Sequence, residues 1–238
     1  MHRPTYTFAE VWEIADGIPG WLTRAQAQAL WDRAACLPPG SVVLEIGSHQ
    51  GRSAVVLAAA LPEGSRLVAV DPFGAGWKYG QSDTEQQFRN NLERAGVTGD
   101  VEVQVATSAQ VLDSWHEPLA LVYVDGKHDY WSVLHDLGWS RHLPAGGHLL
   151  VHDSFSSIGV TLGVLRHGWG RGASLRYRGR TGSLADFEAG PVSLRDRLAL
   201  LTPLPWWCRN VAVKVLLRLR LRRAAAGLFG HTDSADPF

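Results

Sequence analysis

The stretch "SVVLEIGSHQGRSAVVLAAAL", residues 41–61, changes character twice. It begins as an apolar run over "SVVLEIG" (41–47), passes a glycine-bearing turn, and resumes as the helix-forming "RSAVVLAAAL". An apolar run without alternation suits a strand buried on both faces, as in a parallel sheet covered by helices. The same unit recurs downstream. "RLVAVD" (66–71) reads as a second strand and "TEQQFRNNLERAG" (84–96) as a helix ended by Gly96. "VEVQVA" (101–106) is a third strand, followed by a short helix from about Ser108. "LALVYVD" (119–125) is a fourth, with a helix over roughly 129–142, and "GHLLVHD" (147–153) is a fifth. Strand–helix alternation with right-handed crossovers predicts an α/β fold, a doubly wound and mostly parallel sheet with helices on both faces. The segment "ASLRYRGRTGSLADFEA" (173–189) adds two closing strands around a Gly179–Gly182 turn, for seven in all.

The flanks differ in character. In "GWLTRAQAQALWDRAA", Thr23 and Gln26 have the spacing of a helix capping box. Three regions follow: a helical segment at 1–38 over the ligand edge, a core domain at 39–190, and a basic amphipathic tail at 191–238. A chain of 238 residues with zero formal charge and 45 % apolar content suits a folded domain and not a nucleic-acid-binding one. Cys36 and Cys208 form neither a metal-type spacing nor a disulfide framework. "MHRPTYTFAEVWEI" lacks the apolar core of a signal peptide, and no apolar run is long enough for a bilayer span, so a cytoplasmic location is expected.

In open α/β sheets, ligands sit beyond the carboxyl ends of the strands. "LEIGSHQGRS" falls there, where Gly47 and Gly51 let the backbone turn closely and the next helix offers free N–H groups. Asp71 ends the second strand, 24 residues after Gly47, where a carboxylate can accept from both hydroxyls of a ribose. Together they predict a nucleoside cofactor. The dinucleotide pattern G-x-G-x-x-G is absent, because Gly47-Ser48-His49 lacks the second glycine. That disfavours a nicotinamide-dependent oxidoreductase. The spacing Glu45-x-Gly47-x-x-x-Gly51 resembles the first motif of the class I S-adenosylmethionine (SAM) methyltransferases, over about residues 19–188. The resemblance implies a SAM loop formed by Glu45, Gly47, Ser48 and Gly51, with Gly47 against the methionine moiety and Ser53 reaching its carboxylate. It further implies that Asp71 binds the ribose and that Thr107 and Ser108 border the adenine.

Asp125 ends the fourth strand and His152-Asp153 ends the fifth. If those strands are neighbours, about 4.8 Å apart, two carboxylates and an imidazole meet at one edge. Such carboxylates repel unless a cation or proton neutralises them, and a divalent metal is the economical candidate. "DGKHDY" (125–130) followed by "LPAGGHLLVHDSF" (143–155) resembles metal-dependent O-methyltransferases of the catechol type, and most of all the macrolide-sugar subgroup and its methyltransferase domain 24 relatives. The resemblance implies a metal held by Asp125, His152 and Asp153. Mg²⁺ is expected and Mn²⁺ is able to compete, given the imidazole. It also implies His128 as the base that deprotonates the acceptor hydroxyl, and a dimer. His128 as base is preferred to His128 as an exposed turn residue, whereas Asp129 reads as a helix N-cap.

The expected activity is transfer of the SAM methyl group to a sugar hydroxyl of an oligosaccharide, glycolipid or glycosylated natural product. A catechol or other phenol is the alternative acceptor, and a non-catalytic SAM-fold protein at a membrane surface is a reading from another class. Trp21, Phe73, Trp77, Tyr79, Tyr130, Trp131 and Phe155 lie near predicted loop ends where a sugar, an adenine or a flat phenol could stack, and "FGAGWKYGQSD" (73–83) could form a lid. Residues 205–223 carry Trp206, Trp207 and the bases Arg209, Lys214, Arg218, Arg220, Arg222 and Arg223. As a helix this segment aligns Lys214, Arg218 and Arg222. Packing on the core or on a second copy is preferred, with peripheral membrane contact as the rival.

Overall fold

The computed structural model describes residues 6–74 and 81–221, together with Ala226 and Leu228. The centre of the proposed lid (75–80), with Trp77 and Tyr79, and the bases Arg222 and Arg223 lie outside the described residues. Five strands run parallel: β1 (Val42–Ile46), β2 (Arg66–Val70), β3 (Val101–Gln104), β4 (Leu121–Val124) and β5 (His148–Val151). The predicted closing strands form β6 (Leu175–Thr181) and β7 (Leu184–Ala189), and β7 runs antiparallel to both β5 and β6. The sheet has seven strands in the order β3-β2-β1-β4-β5-β7-β6. The predicted fold class is therefore the observed one.

Alternate residues of the buried strands divide the core into two layers. Val43, Leu67, Leu121 and Leu150 point into the layer formed with α1 (Phe8–Asp16), α2 (Arg24–Ala35), α3 (Arg52–Ala60) and α4 (Thr84–Arg94). Leu44, Val68, Val122 and Leu149 point into the other layer, with α6 (Tyr130–Leu137) and α7 (Ile158–Trp169), and with Leu112 of α5 (Ser108–Leu112). Two short-range expectations are met: Thr23 and Gln26 close the capping box of α2, and Asp129 caps α6 by accepting from Trp131 N and Ser132 N. One boundary differs. The helix expected over 129–142 is α-helical only to Leu137 and continues as a 3₁₀ turn over Gly138–His142. Gly138 stands at the change, where its low helix propensity is felt. The tail folds as α8 (Leu194–Ala199) and α9 (Leu204–Arg218). Among the described residues, no helix is long and apolar enough to cross a membrane.

The sheet order reverses between β1 and β4, and there two loops meet. Gly47 has φ +87°, and a Cβ added to it would lie 2.2 Å from the carbonyl oxygen of Asp125. Gly146 has nearly the same φ, +86°, but open space around it. The pair separates conformational strain from close approach. Gly146→Ala is expected to cost about 1 kcal/mol, and Gly47→Ala about 3 kcal/mol or more, because backbone must also move. Urea denaturation of both variants measures this, and equal midpoints would show that contact with the Asp125 loop is unimportant.

Candidate active site

The parallel register sets every proposed site residue at one edge. Gly47 N donates to Val70 O, Asp125 N to Ile46 O and His152 N to Val124 O, so each ladder extends one residue past its strand into the site. Glu45 lies on the α3 side of β1, fully buried. Ser53 Oγ donates to its Oε1 (2.5 Å) and Ser48 Oγ to its Oε2 (2.7 Å). Burial pushes the Glu45 carboxyl up to about 7, against those two hydrogen bonds. The Ser53 hydroxyl expected to reach a cofactor carboxylate thus directs its proton to Glu45, a rerouting within the loop. The α3 N-terminus itself, begun by Gly51 at φ +90°, has no side-chain cap. Its first N–H groups are the donors suited to a cofactor carboxylate.

Asp71 braces the loop. Its Oδ2 accepts from His49 N (2.8 Å) and its Oδ1 from Phe73 N (2.7 Å). Each carboxylate oxygen keeps a lone-pair direction for a ribose hydroxyl. Thr107 caps α5 in a box with Gln110, and Ser108 Oγ donates to Asp136 Oδ1. These two side chains therefore shape the floor of the proposed adenine region through α5 and α6. Asp136 is buried, and burial raises its carboxyl to about 6 against the Ser108 bond.

The four residues expected to perform the chemistry do converge. His128 lies between the two carboxylates, with Nδ1 3.1 Å from Asp153 Oδ2 and Nε2 3.6 Å from Asp125 Oδ1. His152, buried, places Nδ1 3.2 Å from the same Asp125 oxygen. The outer oxygens are also engaged: Tyr123 OH donates to Asp125 Oδ2 (3.0 Å) and Ser156 Oγ to Asp153 Oδ1 (2.8 Å). Burial pushes Asp125 up, but the His152 charge and hydrogen bonds to both imidazoles outweigh it and hold this carboxyl well below its usual range. Burial pulls His128 down, and the Asp125 hydrogen bond with the charges of Asp153 and Asp125 more than reverses this, so its pKa is raised.

This arrangement gives the metal expectation no support. Among the described residues, no group of three or more histidine, cysteine, aspartate or glutamate side chains is placed to hold a metal ion. Asp125, His152 and Asp153 are adjacent, but the carboxylate oxygens that would face a cation face imidazole nitrogens instead. The donor set does not fit a metal as it stands. The repulsion for which a cation seemed the economical remedy is relieved by the histidines.

Some participants escaped the sequence reading. Tyr123 precedes Asp125 by two residues and so shares its strand face, a period-two signal that was available. Gln26 gave only a capping signal, yet its Oε1 lies 3.4 Å from His152 Nε2 and its Nε2 donates to Ser183 Oγ (3.0 Å). No local pattern shows a contact across 126 residues of chain. His49, the one further histidine placed near the ligand, packs its ring 6.0 Å from Trp21. Glu45 has a measurable signature. Its folded pKa exceeds its unfolded value, so the folded state holds a proton that the unfolded chain releases. Its contribution to stability is present below pH 4.5 and declines as pH rises to about 7. Glu45→Gln is expected to remove a decline on the order of 3 kcal/mol between those values. Denaturation midpoints for both proteins across this range test it, and parallel curves would place the Glu45 proton elsewhere.

Comparison with known proteins bears on the fold that carries this site. Residues 44–154 match the model of a family described as a methyltransferase domain. The O-methyltransferase from Bacillus cereus, solved with SAH, is 20 % identical with a TM-score of 0.56, over 76 % of this chain and 90 % of its own. The O-methyltransferase TomG from Streptomyces achromogenes, solved with SAM and involved in tomaymycin synthesis, is 20 % identical with a TM-score of 0.55, over 77 % and 89 %. Cofactor-bound Rv0187 from MTB is 22 % identical with a TM-score of 0.58, over 76 % and 88 %. At these identities the structures speak for the fold. Residues 44–154 thus match a methyltransferase domain, and they lie at the centre of a seven-stranded sheet whose order is that of the class I methyltransferase fold.

Proposed function

We propose that this protein is an O-methyltransferase that methylates a hydroxyl of a sugar-bearing acceptor, with His128 as the general base. One observation carries the reading: His128 is held between Asp125 and Asp153, directly beside the glycine loop that Gly47 packs against Asp125. SAM, when bound, supplies a methyl group already activated on a sulfonium. Alignment and removal of one proton are left to the chain. The uncapped α3 N-terminus suits the cofactor carboxylate and Asp71 the ribose hydroxyls. An aliphatic hydroxyl is a weak nucleophile until its proton can leave. The shorter contact of His128, at Nδ1, orients the ring on Asp153. Nε2, at the longer contact, then exchanges Asp125 for the acceptor hydroxyl and receives its proton. Asp125, Asp153 and His152 surround the imidazolium so formed. The sugar acceptor is supported by the "DGKHDY" and "HDSF" motif pair, and by Trp21 and Trp131, which expose 61 % and 72 % of their surface where a ring could stack.

His128→Ala is expected to lower kcat by about 10²- to 10⁴-fold with little change in SAM affinity. Calorimetric SAM titration beside labelled methyl transfer to a panel of sugars and phenols checks both parts. Normal turnover would remove His128 from the mechanism, and transfer to phenols alone would reassign the acceptor. Only neutral His128 accepts a proton, and its pKa is raised, so kcat is expected to rise with pH through a midpoint above about 6.5. Asp125→Asn removes an anion that raises this pKa and is expected to shift the midpoint downward. Because the carboxylates are paired with imidazoles, dialysis against a chelator is expected to leave turnover in place. Loss of turnover reversed by Mg²⁺ or Mn²⁺ would reinstate a cation at Asp125 and Asp153.

A further inference from the structure

From the placement of α9 we infer that its outer face docks the protein on an anionic lipid surface. The inner face is anchored beside the site. Asn210, fully buried, donates from Nδ2 to Phe155 O (3.2 Å), Lys214 Nζ donates to Ser156 O (3.1 Å), and Val213 is buried. The Arg180 guanidinium lies 3.8 Å from the Trp206 ring centre, which ties the helix to β6. Lys214 is thus turned inward and not, as expected, into an exposed stripe with Arg218. The outer stripe is Pro205, Cys208, Ala212, Val215 and Leu219, at alternating spacings of three and four residues. Val215 and Leu219 expose 50 % and 63 % of their surface, and Leu221 continues the exposed apolar surface just beyond.

Charge selects the occupant. Residues 204–221 contain four basic side chains and no acidic one. Arg218 and Arg220 are exposed beside the apolar stripe. A two-fold contact between copies through this face would bring like charges together, which is costly. An anionic bilayer instead accepts the apolar stripe at the acyl boundary while the arginines reach its headgroups. Because the inner face of α9 holds the loop carrying Asp153, docking there would bring the catalytic edge near lipid-borne acceptors. The docking does not depend on which acceptor is used.

The full-length chain is mixed with phosphatidylcholine vesicles, with and without about one quarter phosphatidylglycerol, and co-sedimentation is measured beside SAM binding. Binding is expected only to the anionic vesicles, falling as salt is raised. Arg218→Gln and Arg220→Gln should each weaken it about fivefold, the worth of one basic side chain at such a surface. Val215→Glu with Leu219→Glu should abolish it, with SAM affinity unchanged in every variant. A chain that binds SAM but neither vesicle overturns the docking and leaves the methyltransferase reading standing. A dimer in light scattering that the double substitution converts to monomer also overturns it, by assigning the face to a second copy.

Discussion

The structure depends on the close approach of two loop backbones at the point where the sheet order reverses. Gly47 lies so near the Asp125 carbonyl that no side chain fits between them. A parallel sheet leaves a crevice at such a reversal because successive helices leave toward opposite faces. Here the crevice is narrow. One wall, the Glu45–Ser53 loop braced by Asp71, is the one proposed to receive the cofactor. The other, from Asp125 to His128, carries the proposed base. Their contact makes the separation of the Gly47 loop from the Asp125 loop a property of the backbone. A reaction that is mostly alignment is served by such a fixed separation.

The same crevice concentrates charge, and the way each charge is balanced divides the labour. Glu45 is buried among hydroxyls alone, and its carboxyl rises to about 7. Asp125 is flanked by two histidines and moves in the opposite direction. Two carboxylates on neighbouring strands, β1 and β4, therefore differ because one has imidazole partners and the other has only hydroxyls. Environments that separate pKa values in this way mark structural and chemical roles. Glu45 organises the loop through Ser48 and Ser53, whereas Asp125 is kept ionised to hold His128.

Most of this was legible in the sequence wherever the information was local. Uninterrupted apolar runs gave the parallel strands, Gly47 and Gly51 marked the turn, and Asp71, Asp125 and His152-Asp153 gave the strand ends. Thr23 with Gln26 and Asp129 gave their helix caps. What the sequence did not show was pairing. Two acids and an imidazole at one edge suit a metal site as well as a carboxylate–imidazole network, and only side-chain direction shows the pairing with imidazoles. Ser53 and Ser108 stand where expected, but their hydroxyls turn to Glu45 and Asp136, acids that a linear reading has no means of assigning to them. One side chain of the tail differs for a similar reason. Helical spacing placed Lys214 in a basic stripe, and only the neighbouring Ser156 carbonyl shows that it faces inward.

Those distant contacts meet on one short loop, which accounts for its conformation. Asp153 and Phe155 both have left-handed backbones, with φ of +55° and +60°, each costing on the order of 1–2 kcal/mol for a residue with a side chain. Such a loop persists only when its surroundings over-determine it. From the N-terminal side, Gln26 reaches His152 at the loop's entrance. From the C-terminal side, Asn210 and Lys214 take the carbonyls of Phe155 and Ser156. Within the loop, Ser156 Oγ donates back to Asp153. The two flanking segments outside residues 44–154 therefore act on the same few atoms, and those atoms aim Asp153 at His128. Residues 44–154 supply the crevice and His128, while the segments around them hold the carboxylate partner of His128 in place.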